Sequence, residues 1–330
     1  MRTYNQNWIW RLPLAALAAS ALRAQEIDGT YGWMQTPTLS QSSYYYQFDY
    51  RQDFTPHLAS SLGWLNEGHV SGHKRDGYAW EAWLTLPTMD NRLAFSLGAG
   101  PYYFFDTQRL PGGGAIDVHG TAPIYSFTAT YYTDERWFAR VIVNRIEPSH
   151  DIEVNSASVG IGYWIGQSDR PNRGELGDAP EAGEVTENEA TIFGGRSVEN
   201  TWSDSRTYAG AAEYRHGLLP HLDGTLSYIY EGDPNVVRRN GAALQVWPVN
   251  AFDDGRFTVG MGFGIYAQID QKNIARVDAY HAPLLSPLVS PMIAWRLSDA
   301  WLIRAVFNRV TSYDLPDSDV ILLGLGLRWR

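Results

Sequence analysis

The stretch WFARVIVNRI, from Trp137 to Ile146, recurs later in the chain as WLIRAVFNRV, from Trp301 to Val310. The two stretches share a tryptophan, two arginines and an asparagine at matching positions, at the fixed offset 301 − 137 = 164. In each stretch an apolar face alternates with a face that carries polar or small side chains, a period of two that is typical of a β-strand. The repeated strand indicates an all-β protein built from two copies of one unit.

The same offset relates the two halves of the chain from about Tyr50 to the C-terminus without a gap. Matching pairs include Arg51/Arg215, Pro56/Pro220, Glu67/Glu231, Gly68/Gly232, Arg75/Arg239, Trp83/Trp247, Tyr102/Tyr266 and Gly160/Gly324. Such agreement indicates an internal duplication. The stretch Gln167 to Glu189, rich in glycine, proline and acidic residues, is typical of a linker. We therefore predict one repeat over residues 25–166, a linker over 167–189 and a second repeat over 190–330.

Each copy contains eight segments that read as strands. In the first copy they cover residues 29–36, 43–53, 57–66, 77–86, 92–105, 123–132, 137–146 and 154–165. In the second copy they cover residues 190–198, 206–217, 221–230, 241–250, 256–269, 287–296, 301–310 and 318–329. Tight turns follow the even-numbered segments, whereas longer polar loops such as NEGHVSGHKRD follow the odd-numbered ones. This asymmetry predicts a transmembrane antiparallel β-barrel with both termini in the periplasm, and a secreted soluble β-protein is the alternative.

The strand pattern allows two closures. Sixteen strands in one ring enclose an aqueous channel, whereas eight strands close around an interior that side chains can fill. The length of the linker favours two tandem eight-stranded barrels. The usual preference of a single chain for one closed ring favours one sixteen-stranded barrel, and this is the closure that we predict.

Composition and the N-terminus set the cellular context. Arg2 and Arg11 precede an apolar segment, Leu12 to Leu22, which predicts an export signal over residues 1–24 that is cleaved after Ala21 or Ala24. The chain has no cysteine, which excludes disulfides and cysteine-ligated metals. Its net charge of −10 argues against nucleic acid as a partner. We expect an outer-membrane protein that contacts membrane lipid and lipopolysaccharide.

Because lipid does not tolerate unpaired charge, the polar face of each strand should point into the barrel. The predicted lumen-lining residues are Asp49, Arg51, Glu81, Trp83, Arg140, Asn144, Glu213, Arg215, Gln245, Trp247, Arg304 and Asn308. They could line a passage for polar solutes or sugar chains, or form an ion-pair network that stiffens the barrel. Arg145 and Arg309 have the opposite parity, so we expect them to extend to the lipid headgroups.

No catalytic or cofactor motif is found. His69 and His73 in GHVSGH have a spacing that could bind a metal, but the second copy lacks the pair, and we interpret the stretch as a solvated loop. The sequence therefore predicts no cofactor, no metal site and no catalytic residue.

The eight-strand unit resembles the small outer-membrane barrels of Gram-negative bacteria, and GLGLRWR at the end of the chain resembles their C-terminal assembly signal. RVIVNRI followed by SASVGIGY resembles the lipid A 3-O-deacylase family, which carries its catalytic His and Ser on this strand. The aligned positions here are Val143, Asn144 and Arg145, and the His and Ser are absent. We expect a porin-like channel for hydrophilic solutes or exported polysaccharide, with periplasmic export machinery as an alternative partner. The other functional hypotheses are a lipid-modifying enzyme and a structural or partner-binding barrel.

Overall fold

The structure is a computed structural model that describes residues 25–88, 92–109, 115–149, 151–165, 188–199, 205–219, 221–233, 237–253, 255–273, 285–311 and 317–329. The predicted export signal and nearly all of the predicted linker lie outside these residues. The first half of the described chain forms β1 (Gln25–Thr36), β2 (Gln41–Asp53), β3 (Leu58–Val70), β4 (His73–Pro87), β5 (Leu93–Arg109), β6 (Ala115–Tyr132), β7 (Trp137–Ile146) and β8 (Val154–Ile165). The second half forms β9 (Asn188–Glu199), β10 (Ser205–Leu219), β11 (Leu222–Tyr230), β12 (Val237–Phe252), β13 (Phe257–Asn273), β14 (Leu285–Arg296), β15 (Trp301–Val310) and β16 (Ser318–Trp329).

The strands close into two separate antiparallel barrels of eight strands each. β1 pairs with β8, from Gln25 opposite Ile165 to Gln35 opposite Asn155. β9 pairs with β16 in the same way, from Asn188 opposite Trp329 to Glu199 opposite Ser318. The prediction of one sixteen-stranded barrel is therefore wrong, and the alternative of two tandem eight-stranded barrels is the observed architecture.

Each closure is made by the two end strands of one repeat. The first and last strands of a copy are equal in length, and they match along almost their whole length, so that each copy can satisfy its own edge hydrogen bonds. A single ring would have required β8 to pair with β9 and β1 with β16. Both ways of pairing β1, β8, β9 and β16 leave the same side chains facing inwards, so the alternation along the strands does not distinguish them.

The strands lie where the sequence predicts them, but several are longer at one end of the barrel. β3 runs to Val70 and β4 starts at His73, so the predicted loop NEGHVSGHKRD is mostly paired strand, closed by Ser71 and Gly72. The pairing of β5 with β6 likewise continues to Arg109 opposite Ala115. We call this end, where odd-numbered strands connect to the next, the loop end, and the opposite end the turn end.

Side-chain burial alternates along the strands and separates an inner from an outer face. β7 shows the pattern over its whole length, with Phe138, Arg140, Ile142 and Asn144 buried and the residues between them exposed. The exposed members are mostly large and apolar, whereas the buried members include many charged groups. Each barrel is therefore apolar outside and polar inside, the reverse of a soluble protein. None of the described residues lies in a helix that could cross a membrane.

Candidate functional site in the two barrel interiors

The structure places all twelve predicted lumen residues in the barrel interiors, six in each barrel, and none exposes more than 7% of its surface. It does not bring the two sets into one passage, because the rings are separate. Arg140 and Arg304 therefore belong to different interiors.

Arg140 organises the turn end of the first barrel. It reaches from β7 to β1, where its guanidinium forms short ion pairs with Glu26 and Asp28. Its Nε also donates to Thr130 Oγ1 at 3.0 Å, and the guanidinium lies 4.7 Å from the Phe138 ring centre. All these groups are almost fully buried. Hydrogen bonds and opposite charges thus offset the cost of removing the guanidinium from water.

In the second barrel, Arg304 has the corresponding role with different acids. It forms a short ion pair with Glu189 and donates to Glu213 at 2.8 Å. Both arginines thus pair with two carboxylates. At the offset of 164, however, Glu189 and Glu213 are not the counterparts of Glu26 and Asp28. Glu26, Asp28 and Glu189 were missed by the sequence analysis, because the similarity between the copies fades in this part of each repeat.

A second arginine in each barrel stacks on a tryptophan. Arg51 lies 4.9 Å from the Trp83 ring centre and donates to Thr85 at 2.6 Å. Arg215 lies 4.5 Å from the Trp247 ring centre and pairs with Glu213 and Asp223, each at 3.2 Å. The two copies therefore share the arginine and the tryptophan in sequence, and also the stacking of one side chain on the other in the structure.

Hydrogen bonds cross the interior at mid-height. Asn144 on β7 donates to Tyr45 Oη at 2.7 Å and to Gln47 at 2.8 Å, and both partners belong to β2, three strands away around the ring. In the second barrel, Ser290 donates to Asn308 at 2.6 Å and accepts from Gln245 at 2.9 Å. Both sets include bonds between strands that are not neighbours, since Gln245 belongs to β12 and Ser290 to β14.

A third network lies towards the loop end. In the first barrel, Arg75 holds Glu67 in a bidentate pair with a closest approach of 2.6 Å, and Tyr102 Oη donates to the same carboxylate at 2.5 Å. Arg75 also donates to the carbonyl of Ile152 at 2.8 Å, on the opposite side of the ring. Glu67, Arg75 and Tyr102 were not among the predicted lumen residues. They could have been found, since all three recur in the second copy at the same offset.

The second barrel repeats this network with Glu231 and Arg239, whose closest atoms lie 3.5 Å apart, and Ser318 donates to Glu231 at 2.5 Å. A glycine with positive φ follows the glutamate in both copies, Gly68 at 66° and Gly232 at 82°. A Cβ on Gly68 would lie 2.3 Å from the Tyr44 carbonyl oxygen, which no side chain tolerates. The glycine therefore permits the backbone irregularity that follows each glutamate.

The outer faces of the two barrels touch each other along β2–β4 and β13–β16. Trp64 is fully buried although its side chain points outwards, and its ring stacks on Phe307 with centres 5.3 Å apart. Tyr50 meets Phe263 at 6.0 Å, and Tyr78 Oη lies 3.3 Å from Thr311 Oγ1. We call these contacts the inter-barrel interface.

Arg309 lies in this interface and does not extend to the headgroups as predicted. Its guanidinium pairs with Asp317 at 2.8 Å and Asp319 at 2.9 Å on its own barrel, and with Asp76 of the first barrel by a short contact. Its counterpart Arg145 is exposed and pairs with Glu147. The difference arises from the packing of the two barrels, which places one arginine between them and the other outside.

The histidines of GHVSGH do not come together. His69 is exposed and its Nε2 lies 3.4 Å from Tyr44 Oη. His73 instead turns inwards, where its Nδ1 lies 2.5 Å from Asp106 Oδ2. The interpretation of the whole stretch as a solvated loop is therefore wrong for His73.

Neither a protein-family model nor a curated protein matches the chain. Among solved structures, the chain is similar to the N-terminal β-barrel domain of Pseudomonas aeruginosa OprF, with 15% identity over 44% of this chain and 98% of that domain and a TM-score of 0.37. It is similar to the Neisserial surface protein A, with 12% identity over 44% of this chain and 96% of that protein and a TM-score of 0.35. It is also similar to the CymD monoaromatic hydrocarbon channel, with 8% identity over 97% of this chain and 92% of that one and a TM-score of 0.26. Outer-membrane β-barrels are thus its structural neighbours, and these likenesses concern the fold alone.

Proposed function

We propose that the protein is an integral outer-membrane protein whose two barrels act as an occluded membrane scaffold rather than as an open pore. Membrane insertion is supported by the outer faces, where Val159, Ile161, Ile192 and Leu323 expose between 61% and 76% of their surface. A water-soluble barrel would not display such a continuous apolar surface. The described strands have 9 to 18 residues, and about 9–11 residues suffice to span the hydrocarbon layer.

The proposal that the barrels are occluded rests on the hydrogen bonds that side chains form across the interiors. Asn144 connects β7 to β2, and Arg75 connects β4 to the segment before β8, so bonds at two heights cross the first barrel. The predicted solute channel required the wide lumen of a sixteen-stranded ring. In two eight-stranded rings, several of the same residues bond instead to side chains of their own interior, as Asn144 does to Gln47 and Arg304 to Glu213.

Reconstitution into planar bilayers tests the scaffold against the porin-like channel. We expect no stepwise conductance of the size of an open porin from the full-length protein, and no uptake of sugars into liposomes that contain it. A porin reconstituted in parallel verifies the assay. Stable channels that pass sugars would reject the scaffold and restore the predicted transport of hydrophilic solutes or polysaccharide.

The orientation proposed from the loop asymmetry places the loop end outside the cell and the termini in the periplasm. Since the chain has no cysteine, a single cysteine substitution can be labelled without background from native cysteines. We expect Ser71→Cys, at the loop end, to react with a membrane-impermeant maleimide on intact cells. Glu135→Cys, at the turn end, should react only after the outer membrane is permeabilised. Labelling with the opposite pattern would reverse the orientation.

In this proposal the protein is not an enzyme, and its partners are the membrane lipid and lipopolysaccharide around its outer faces. No family model matches the chain, so the resemblance to the lipid A 3-O-deacylases stays an expectation from the sequence. Those enzymes use His and Ser where this chain has Asn144 and its neighbours, and the Asn144 amide donates to Tyr45 and Gln47. Mass spectrometry of lipid A from cells with and without the protein should therefore give the same species. Loss of an acyl chain that depends on the protein would instead support the lipid-modifying alternative.

A further inference from the structure

Three ionisable side chains meet inside the loop end of the first barrel. His73 begins β4, Asp106 belongs to β5, and Asp151 lies in the connection between β7 and β8. His73 Nδ1 lies 2.5 Å from Asp106 Oδ2 and 3.8 Å from Asp151 Oδ1, and one donor atom from each residue falls within 4.8 Å of the other two. A nitrogen and two carboxylate oxygens from separate parts of the ring thus converge on one point.

The hydrogen bonds of this cluster are incomplete. Asp106 is fully buried, and its Oδ2 accepts from His73 and, at 2.8 Å, from Gln108. Its other oxygen, Oδ1, has no hydrogen-bond donor among the residues that the structure describes. A buried carboxylate oxygen without a donor is costly, unless a cation or water that binds there supplies the missing interaction.

The charges around the cluster are also unbalanced. Arg75 lies 3.8 Å from Asp151 Oδ2, but its guanidinium is already held by Glu67 in the bidentate pair. The carboxylates of Glu67, Asp106 and Asp151 therefore share one guanidinium and one imidazole, which leaves one net negative charge with His73 protonated and two with it neutral. A divalent cation would balance this excess.

We propose that His73, Asp106 and Asp151 bind one divalent transition-metal ion, Zn²⁺ or an ion of similar chemistry, at the loop end of the first barrel. Imidazole nitrogen and carboxylate oxygen are ordinary ligands of zinc, with bonds of about 2.0–2.2 Å. A tetrahedron with such bonds has edges of about 3.3 Å, and the two donor separations of 2.5 and 3.8 Å lie on either side of that value. The ion would take the place of the proton between His73 and Asp106. Solvent reaches the site through His73, whose side chain is 20% exposed, and can supply a fourth ligand.

The second barrel provides an internal comparison. The position that corresponds to His73 is Val237, and the position that corresponds to Asp151 is Leu315, so only Asp270 matches. The repeat therefore predicts one ion per chain. It also provides Asp270→Asn as a control for Asp106→Asn.

The test is calorimetric titration of ZnCl₂ into the full-length, untagged protein after chelator treatment. We expect one ion per chain, and at least about tenfold weaker binding for His73→Ala, Asp106→Asn and Asp151→Asn, since even the loss of a residue that only supports a ligand costs about 10- to 100-fold. His69→Ala and Asp270→Asn should bind as the wild type does. X-ray absorption of the zinc complex should show only nitrogen and oxygen donors.

Two results would overturn the proposal. The first is a wild-type protein that binds no zinc, since a protonated His73 paired with Asp106 would then account for the cluster. The second is binding that survives in folded His73→Ala and Asp106→Asn. If a variant does not assemble, modification of wild-type His73 by diethyl pyrocarbonate decides the question. Zinc must protect His73 and leave His69 reactive, and equal protection or none would count against the site.

Discussion

Replacement of Arg140 by glutamate is expected to prevent assembly of the first barrel. The variant would place a third carboxylate beside Glu26 and Asp28, in an interior where Arg140 is their shared counterion. Removal of one partner from a buried ion pair costs about 3–5 kcal/mol, and reversal of the charge adds repulsion to that cost. Since whole domains are stable by only about 5–15 kcal/mol, this single change should abolish most of the stability of the barrel.

Arg145→Glu is the matched control, because Arg145 lies on the same strand but is exposed. Folded barrels migrate faster than heated ones in electrophoresis without boiling, and this shift measures assembly. We expect little folded Arg140→Glu protein, and Arg145→Glu that folds as the wild type does. Equal folding of both variants would show that the interior pairs are dispensable.

The same logic applies to both arginines together. Arg304→Glu should damage the second barrel alone, because Arg304 pairs with Glu189 and Glu213. Residues that share no partner have additive effects on stability, so the double variant should lose the sum of the two single losses. A change of ion preference in a folded double variant, as expected for one shared passage, would contradict the separation of the interiors.

Replacement of Arg309 by alanine is expected to separate the two barrels while each remains folded. The change leaves Asp76 and Asp317 facing each other in the inter-barrel interface without their shared cation. Within lipid there is little hydrophobic drive to bring two apolar outer faces together, so polar contacts matter more there than in water. A buried carboxylate that loses its partner costs about 3–5 kcal/mol, enough to overcome the remaining aromatic contacts.

The measurement needs a cleavable connection. A protease site inserted after Gly177, within the linker sequence, allows the two halves to be cut apart in detergent. Wild-type halves should then purify together, as should the halves of Arg145→Ala, whose residue is the counterpart of Arg309 in the first copy. Arg309→Ala halves should separate, each with the heat-dependent migration of a folded barrel. Joint purification of the Arg309→Ala halves would show that the aromatic contacts around Trp64 hold the barrels by themselves.

Local pattern was enough to predict the strands and the inner face. The alternation in β7 places Arg140 and Asn144 inside, and the offset between the copies transfers that placement to Arg304 and Asn308. These features depend on neighbours along one strand and on lipid that excludes charge. They could be predicted because they require no knowledge of which strands meet.

Features that depend on distant strands could not be predicted. The choice between one ring and two depends on whether β1 pairs with β8 or with β16, and both choices leave every side chain on the same face. The burial of Arg309 depends on the packing of a second barrel against it, which its strand position does not reveal. His73 meets Asp151 only because the closed ring brings β4 near the connection before β8, whereas its contact with Asp106 needs only the β4–β5 hairpin.

The separate closure of each repeat also determines the sequence separation between the strands that close each barrel. The first ring is complete once Gln25 meets Ile165, and the second once Asn188 meets Trp329, whereas one large ring would have joined strands separated by both repeats. The entropy of loop closure grows with separation, and folding slows as contacts become less local. The first repeat can therefore complete its hydrogen bonds without any strand of the second. A finished first barrel offers no open edge to incoming strands, so each repeat is protected from exchanging strands with its twin.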